Sequence, residues 1–149
     1  MVEIVVAAAI IVSMVTAAAG AWQLYLRLSN TSGRRTQAVL LSEEAAEALN
    51  LLRDRSWAKN IAALSLDTPY YIYWNGTTYA TSTTPVTVNN SYNVYVTFGA
   101  LYRDINKDIA GAGTIDARSR YATVTVSVAG NPGAKDLETQ MLIHDIFQN

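Results

Sequence analysis

The stretch MVEIVVAAAIIVSMVTAAAGAWQLYL, residues 1–26, decides how the rest of the chain is read. One carboxylate, Glu3, precedes the 23 residues from Ile4 to Leu26, which contain no Asp, Glu, Lys or Arg and only Ser13, Thr16 and Gln23 as polar interruptions. At 1.5 Å per residue such a helix covers about 34 Å, enough for a hydrocarbon core of roughly 30 Å. A cleavable signal peptide fits poorly: nothing basic precedes the run, and its apolar part exceeds the usual ~7–15 residues. A helix buried in a soluble core is the weaker alternative, because so small a chain rarely surrounds so long an apolar rod. Glu3 beside the run is expensive to place in lipid and calls for a partner. Arg27, Arg34 and Arg35 follow the span. Applied to this numbering, the positive-inside rule therefore puts the C-terminal part in the cytoplasm.

Working outward, the helical signal continues past the apolar run. Thr36 to Leu64 has no Pro or Gly and is rich in Ala, Leu and Glu, all good helix formers. Leu41, Ala45, Ala48 and Leu52, then Trp57, Ile61 and Leu64, recur at helical spacing, which predicts a face that covers a sheet or a second helix. Ser29-Asn30-Thr31-Ser32-Gly33 joins the two halves and predicts a soft point in the helix. After Asp67-Thr68-Pro69 the pattern changes. Tyr70 to Trp74, Asn75-Gly76 and Thr77 to Tyr79 read as a hairpin with a type I′ turn. Tyr92 to Phe98 and Tyr121 to Val128 alternate as strands with one buried and one wet face. Gly130 to Gly133 reads as a turn, and Thr139 to Phe147 as a last strand or a short helix.

The expected fold is α+β. A long N-terminal helix, apolar in its first half and amphipathic in its second, packs on a small antiparallel β-sheet head. The expected divisions are residues 1–28, 29–66 and 67–149. A head of about 80 residues has a marginal core alone, so the helix is expected to belong to its fold. The 149 residues carry a formal net charge of -1 and no cysteine. That excludes disulfides, thiol catalysis and cysteine-ligated zinc, and implies no nucleic acid as a bulk electrostatic partner.

The segment MVEIVVAAAIIVSMV resembles the N-terminus of the type IV pilin-like family, the pilins and type II secretion pseudopilins. Its motif is an aliphatic pair, a glutamate and an apolar helix. LLSEEAAEALNLLRDRSWAKNIAALS, YRDINKDI and RYATVTVSV follow in the order expected of a bacterial pilin. The resemblance implies removal of a basic leader by a prepilin peptidase and methylation of the new N-terminus. It also implies residence in the inner membrane, followed by assembly into an extracellular surface filament whose partner is the chain itself. Here Glu3 would face the α-amino group of an adjacent subunit, which makes Glu3 and Met1 the assembly residues. The family glutamate lies two residues further from the processed end than Glu3 lies from Met1, so either two leading residues are missing from this numbering or processing differs. A missing leader would also remove the orientation conflict. The family's frequent helix proline and C-terminal disulfide are absent.

The amphipathic half is banded in charge. Arg34 and Arg35 are basic, Glu43, Glu44 and Glu47 acidic, and Arg53, Arg55 and Lys59 basic again, with Asp54 an exception. No Glu has a basic residue four positions on, so these are not intrahelical ladders. Bands about 9 residues apart would bring acid beside base if neighbouring helices slid by roughly 13 Å; a solvated helix face explains them equally well. Asp104, Asn106 and Asp108, with Asp116 beyond, alternate like calcium ligands but lack the glycine and terminal Glu of an EF-hand. A polar hairpin loop is the plainer reading. Sequons at Asn30, Asn75 and Asn89 read as turn chemistry before glycan sites. No cofactor is expected unless calcium binds. The lone His144 lies in an apolar segment, and no nucleophile, zinc or phosphate-loop motif supports an enzyme. The functional expectation is a pilin. The alternatives are a secretion pseudopilin and a single-span anchor presenting a binding head.

Overall fold

A computed structural model describes residues 1–130 and 135–147. It is α+β: a helix of 54 residues, α1 (Val2–Arg55), and seven strands in one antiparallel sheet. The chain divides into two compact units, Met1–Gln37 and Ala38–Asn149, and α1 contributes to both. The second unit therefore begins about 30 residues before the expected head boundary at 67, because the helix stripe is part of the head's core.

α1 contains no proline, and the expected soft point at Ser29–Gly33 is helical throughout. Hydroxyls there turn back on the helix, with Thr31 Oγ1 donating to Arg27 O (2.9 Å) and Thr36 Oγ1 to Ser32 O (3.1 Å). Ser13 and Thr16 do the same in the apolar run, donating to Ile10 O at 2.8 Å and Val12 O at 2.7 Å. Such bonds satisfy hydroxyls that lipid cannot.

The expected helix to Leu64 is interrupted. α1 stops at Arg55, and a π-helical turn follows at Ala58–Ala62. Ser56 sits at the break. Asn60 Nδ2 donates to Leu52 O at 2.9 Å, beside the last backbone bond to that carbonyl from Ser56 N at 3.3 Å. Asp67, at φ 55, turns the chain, and its N–H reaches Phe98 O at 2.9 Å.

The strands are β1 (Pro69–Trp74), β2 (Tyr79–Ser82), β3 (Thr87–Val88), β4 (Tyr92–Arg103), β5 (Ile109–Ala110), β6 (Thr114–Val128) and β7 (Lys135–His144). The sheet runs β2-β1-β4-β6-β7, and β3 and β5 also pair with β4. The Thr139–Phe147 ambiguity resolves to a strand as far as His144. Of the expected turn at 130–133, Gly130 is at φ 83 and the rest lies outside the described residues.

The β1–β2 hairpin forms with Trp74 opposite Tyr79, but its loop is Asn75–Thr78 rather than a two-residue type I′ turn. Asn75 Oδ1 accepts from Thr77 N (3.1 Å) and Thr78 N (3.0 Å), closing the loop through a side chain. Gly113 is required at its turn: a Cβ there would stand 2.2 Å from Arg103 O.

Alternation sets the core. β4 buries Tyr92, Val94, Val96 and Phe98; β6 buries Ala122, Val124 and Val126; β1 buries Tyr70 and Ile72. Against them lie Ala38, Leu41, Ala45, Ala48, Leu49 and Leu52 of α1, then Trp57 and Ile61. A central strand covered on one side by a helix stripe is how a small sheet acquires a core.

Candidate assembly surface

The first unit is defined by what it leaves uncovered. Every residue of Met1–Gln37 is exposed, including Ile4, Val5, Ile11, Met14, Val15, Trp22 and Leu24. Within α1 the most apolar window has a mean hydropathy of 2.4 and no buried share, so the helix is long and apolar enough to cross a membrane. Monomeric soluble proteins rarely expose apolar patches beyond a few hundred Å². Glu3 lies in the first turn of α1, where an acid complements the positive end of the helix dipole. Val5 N reaches Met1 O at 3.5 Å, so the two residues expected to act in assembly, Met1 and Glu3, sit in the opening turn, and both are exposed.

The charge bands are divided by the fold. Arg55 Nη1 donates to Thr78 Oγ1 at 2.9 Å, and Glu44 Oε1 accepts from Tyr79 Oη at 2.9 Å. These two bonds tie α1 to the β1–β2 hairpin. The Glu44 bond also raises the Tyr79 phenol above its usual pKa, with burial and the charges of Glu44 and Glu47 adding to it. Arg53 pairs with its neighbour Asp54 at 2.7 Å. Among the described residues Glu43, Glu44 and Glu47 have no ion-pair partner, and Arg35 and Lys59 are likewise exposed. Arg34 has a partner and is not an open charge.

Of the four candidate calcium ligands, Asp104 and Asp116 are engaged by protein groups, whereas Asn106 and Asp108 contribute backbone N–H groups to Asp104. Asp104 Oδ1 accepts from Asn106 N at 2.8 Å and Asp108 N at 2.9 Å, which shapes the loop, with Lys107 at φ 69. Arg103 reaches both sides of it, donating from Nη1 to Lys107 O (2.8 Å) and from Nε to Asp116 Oδ2 (2.7 Å). Asp116 also receives Ser119 Oγ at 2.8 Å and Arg118 N at 2.9 Å. Burial alone would raise the Asp116 carboxyl. The bonds from Arg103, Arg118 N and Ser119 outweigh it and hold the pKa at about 2. Asp116 thus already has its cation. Among the described residues no three His, Cys, Asp or Glu side chains gather to hold a metal ion.

His144 is exposed at the end of β7, and its Nδ1 lies 2.8 Å from Ser119 Oγ. The serine hydroxyl stands between His144 and Asp116 and gives its proton to the carboxylate. In a nucleophilic triad the histidine occupies the middle place. The present order fixes the corner where β6 meets β7.

Arg120 is the functional-looking residue that sequence reasoning missed. It stands on the core face of β6 and donates to Ile61 O (2.9 Å), Leu64 O (2.7 Å) and Ala62 O (2.9 Å). Its guanidinium lies 6.0 Å from the Phe98 ring centroid. Desolvation lowers its pKa, partly offset by Tyr70. One planar cation thereby caps the π-turn that the helix break leaves open. Its only sequence signal was a charge at an inward register of an alternating strand. Comparison with family models, curated proteins and solved structures returned no match.

Proposed function

We propose that the chain is a structural subunit of a type IV pilin-like filament. In this reading the first unit lies in lipid before assembly and among neighbouring helices afterwards, and the β-sheet unit forms the outer surface. The observation that supports it is the exposure of the whole of Met1–Gln37 on a helix that buries its own stripe from Ala38 onward. Glu3 then acts as a register pin. A carboxylate leaving the membrane edge for a protein interior requires a cationic partner, and an adjacent subunit's α-amino group supplies one. The apolar helices drive association, and the ion pair sets its stagger. The sheet unit carries no catalytic role in this reading.

The test is to shear native cells and identify the extracellular filaments by mass spectrometry, with the intact mass of the N-terminus read from the same material. The expected result is filaments built mainly of this chain, with a processed, methylated N-terminus. A chain that stays in the membrane fraction as a monomer would identify a single-span anchor instead.

A further inference from the structure

A cleft of about 210 Å³ opens between α1 and the β1–β2 hairpin, wholly within the second unit. Leu41, Ala45, Ile72 and Val94 belong to its apolar lining, and Glu44 brings a carboxylate to it. Two of its aromatic residues, Trp74 and Tyr79, meet edge to face, with ring centroids 5.2 Å apart and planes at 72°. Trp74 is 55% exposed although it is the largest side chain of the hairpin. Trp74 continues the inward register of β1 after Tyr70 and Ile72, which places it at the open edge of the core, in the lining of this cleft.

The chemistry of this cleft is selective. Both rings belong to the lining of the cleft, and a desolvated organic cation is what aromatic side chains attract. Glu44 adds a full negative charge at the wall, and Glu47 lies on the next turn of the same helix. Neither acid has an ion-pair partner among the described residues. An anion would meet the Glu44 carboxylate at the wall. A neutral apolar group would fill the cleft and leave the charge unanswered. The volume is below the roughly 300–1,000 Å³ of drug-sized sites, so it suits a small group.

We propose that this cleft is a binding site for a small quaternary ammonium group, held against Trp74 and Tyr79 and neutralised by Glu44. Every residue in the lining lies between Leu41 and Val94, outside the uncovered helix segment Met1–Gln37.

The experiment uses the full chain in a non-ionic maltoside micelle. Choline chloride is titrated while the indole N–H signals of the three tryptophans are followed by NMR. A matched titration uses 3,3-dimethylbutan-1-ol, the neutral isostere. The Trp74 signal, identified by its loss in Trp74→Leu, is expected to move saturably with choline, while the Trp22 and Trp57 signals stay still. Glu44→Gln is expected to weaken choline binding about fivefold or more, with the alcohol binding at least that much more weakly than choline. Thermal midpoints within a few degrees of the parent would show both variants folded. Three results would overturn the proposal: no saturable shift at Trp74, equal binding of the alcohol, or a folded Glu44→Gln that binds choline as the parent does.

Discussion

One helix is treated in two ways by this chain. From Met1 to Gln37 α1 buries nothing, whereas from Ala38 to Leu52 it hides a stripe of seven residues against the sheet. The sequences differ in kind. From Ile4 to Leu26 the first part carries no charged side chain and is apolar all round, and no fold of this size could cover it. The second is apolar along one face and charged on the other. A helix apolar on every side needs a solvent or partner that is itself apolar; a helix with one such face needs only a sheet. The comparison separates what the chain satisfies alone from what it leaves to its surroundings.

The sharpest way to break the comparison is truncation. A chain beginning at Ala38 should be soluble without detergent and unfold cooperatively, since its core is complete. A chain beginning at Ser56 loses the helix stripe and should show no cooperative transition by circular dichroism. If the shorter chain folded as well, the helix would not belong to the head.

Neighbouring leucines test the same division at single-residue scale. Leu49 is fully buried and Leu51 is 58% exposed. Leu49→Ala should cost about 3 kcal/mol in urea unfolding, and Leu51→Ala less than about 0.5 kcal/mol. Arg120→Met should follow at about 2 kcal/mol, because the carbonyls of Ala62 and Leu64 lose the guanidinium donor and Ile61 O keeps only Leu64 N.

A smaller effect concerns acid. Asp116 is held at about 2 in the folded chain, against roughly 3.9 unfolded. A depressed carboxyl contributes stability that is complete above about pH 4 and lost as pH falls from there toward 2. Asp116→Asn should therefore lower stability at pH 7 and flatten the acid side of the melting profile over that window. An unchanged acid limb would mean that the Arg103–Asp116 contact is not maintained in solution.

How much of this was legible depended on the kind of signal. The apolar run, the stripe Leu41–Leu52 and the alternating strands are periodic patterns, and periodicity survives without tertiary knowledge. The helix end at Arg55 was not legible. Trp57-Ala58-Lys59-Asn60 is a good helical sequence, and the break is held by Arg120, 59 residues from Ile61 in the chain. The hairpin at Asn75-Gly76 was visible, but not that Asn75 would spend its side chain closing a longer loop. Asp104, Asn106 and Asp108 have ligand-like spacing, yet their surroundings include Arg103, whose reach to Asp116 depends on β4 lying beside β6. Spacing along a chain does not reveal which opposite charge the sheet brings across.

The absence of cysteine makes the central claim directly measurable. A single cysteine at Ala18, within the exposed helix surface, would report its neighbours without background from other thiols. Cells producing Ala18→Cys would be sheared, and the extracellular and membrane fractions each treated with a lipid-soluble thiol reagent. A filament subunit predicts this chain in the extracellular fraction with its residue-18 thiol shielded from the reagent, because neighbouring helices cover that position in a helical core. Chain found only as monomer in the membrane fraction, with its thiol open to lipid-soluble reagents, would contradict the account.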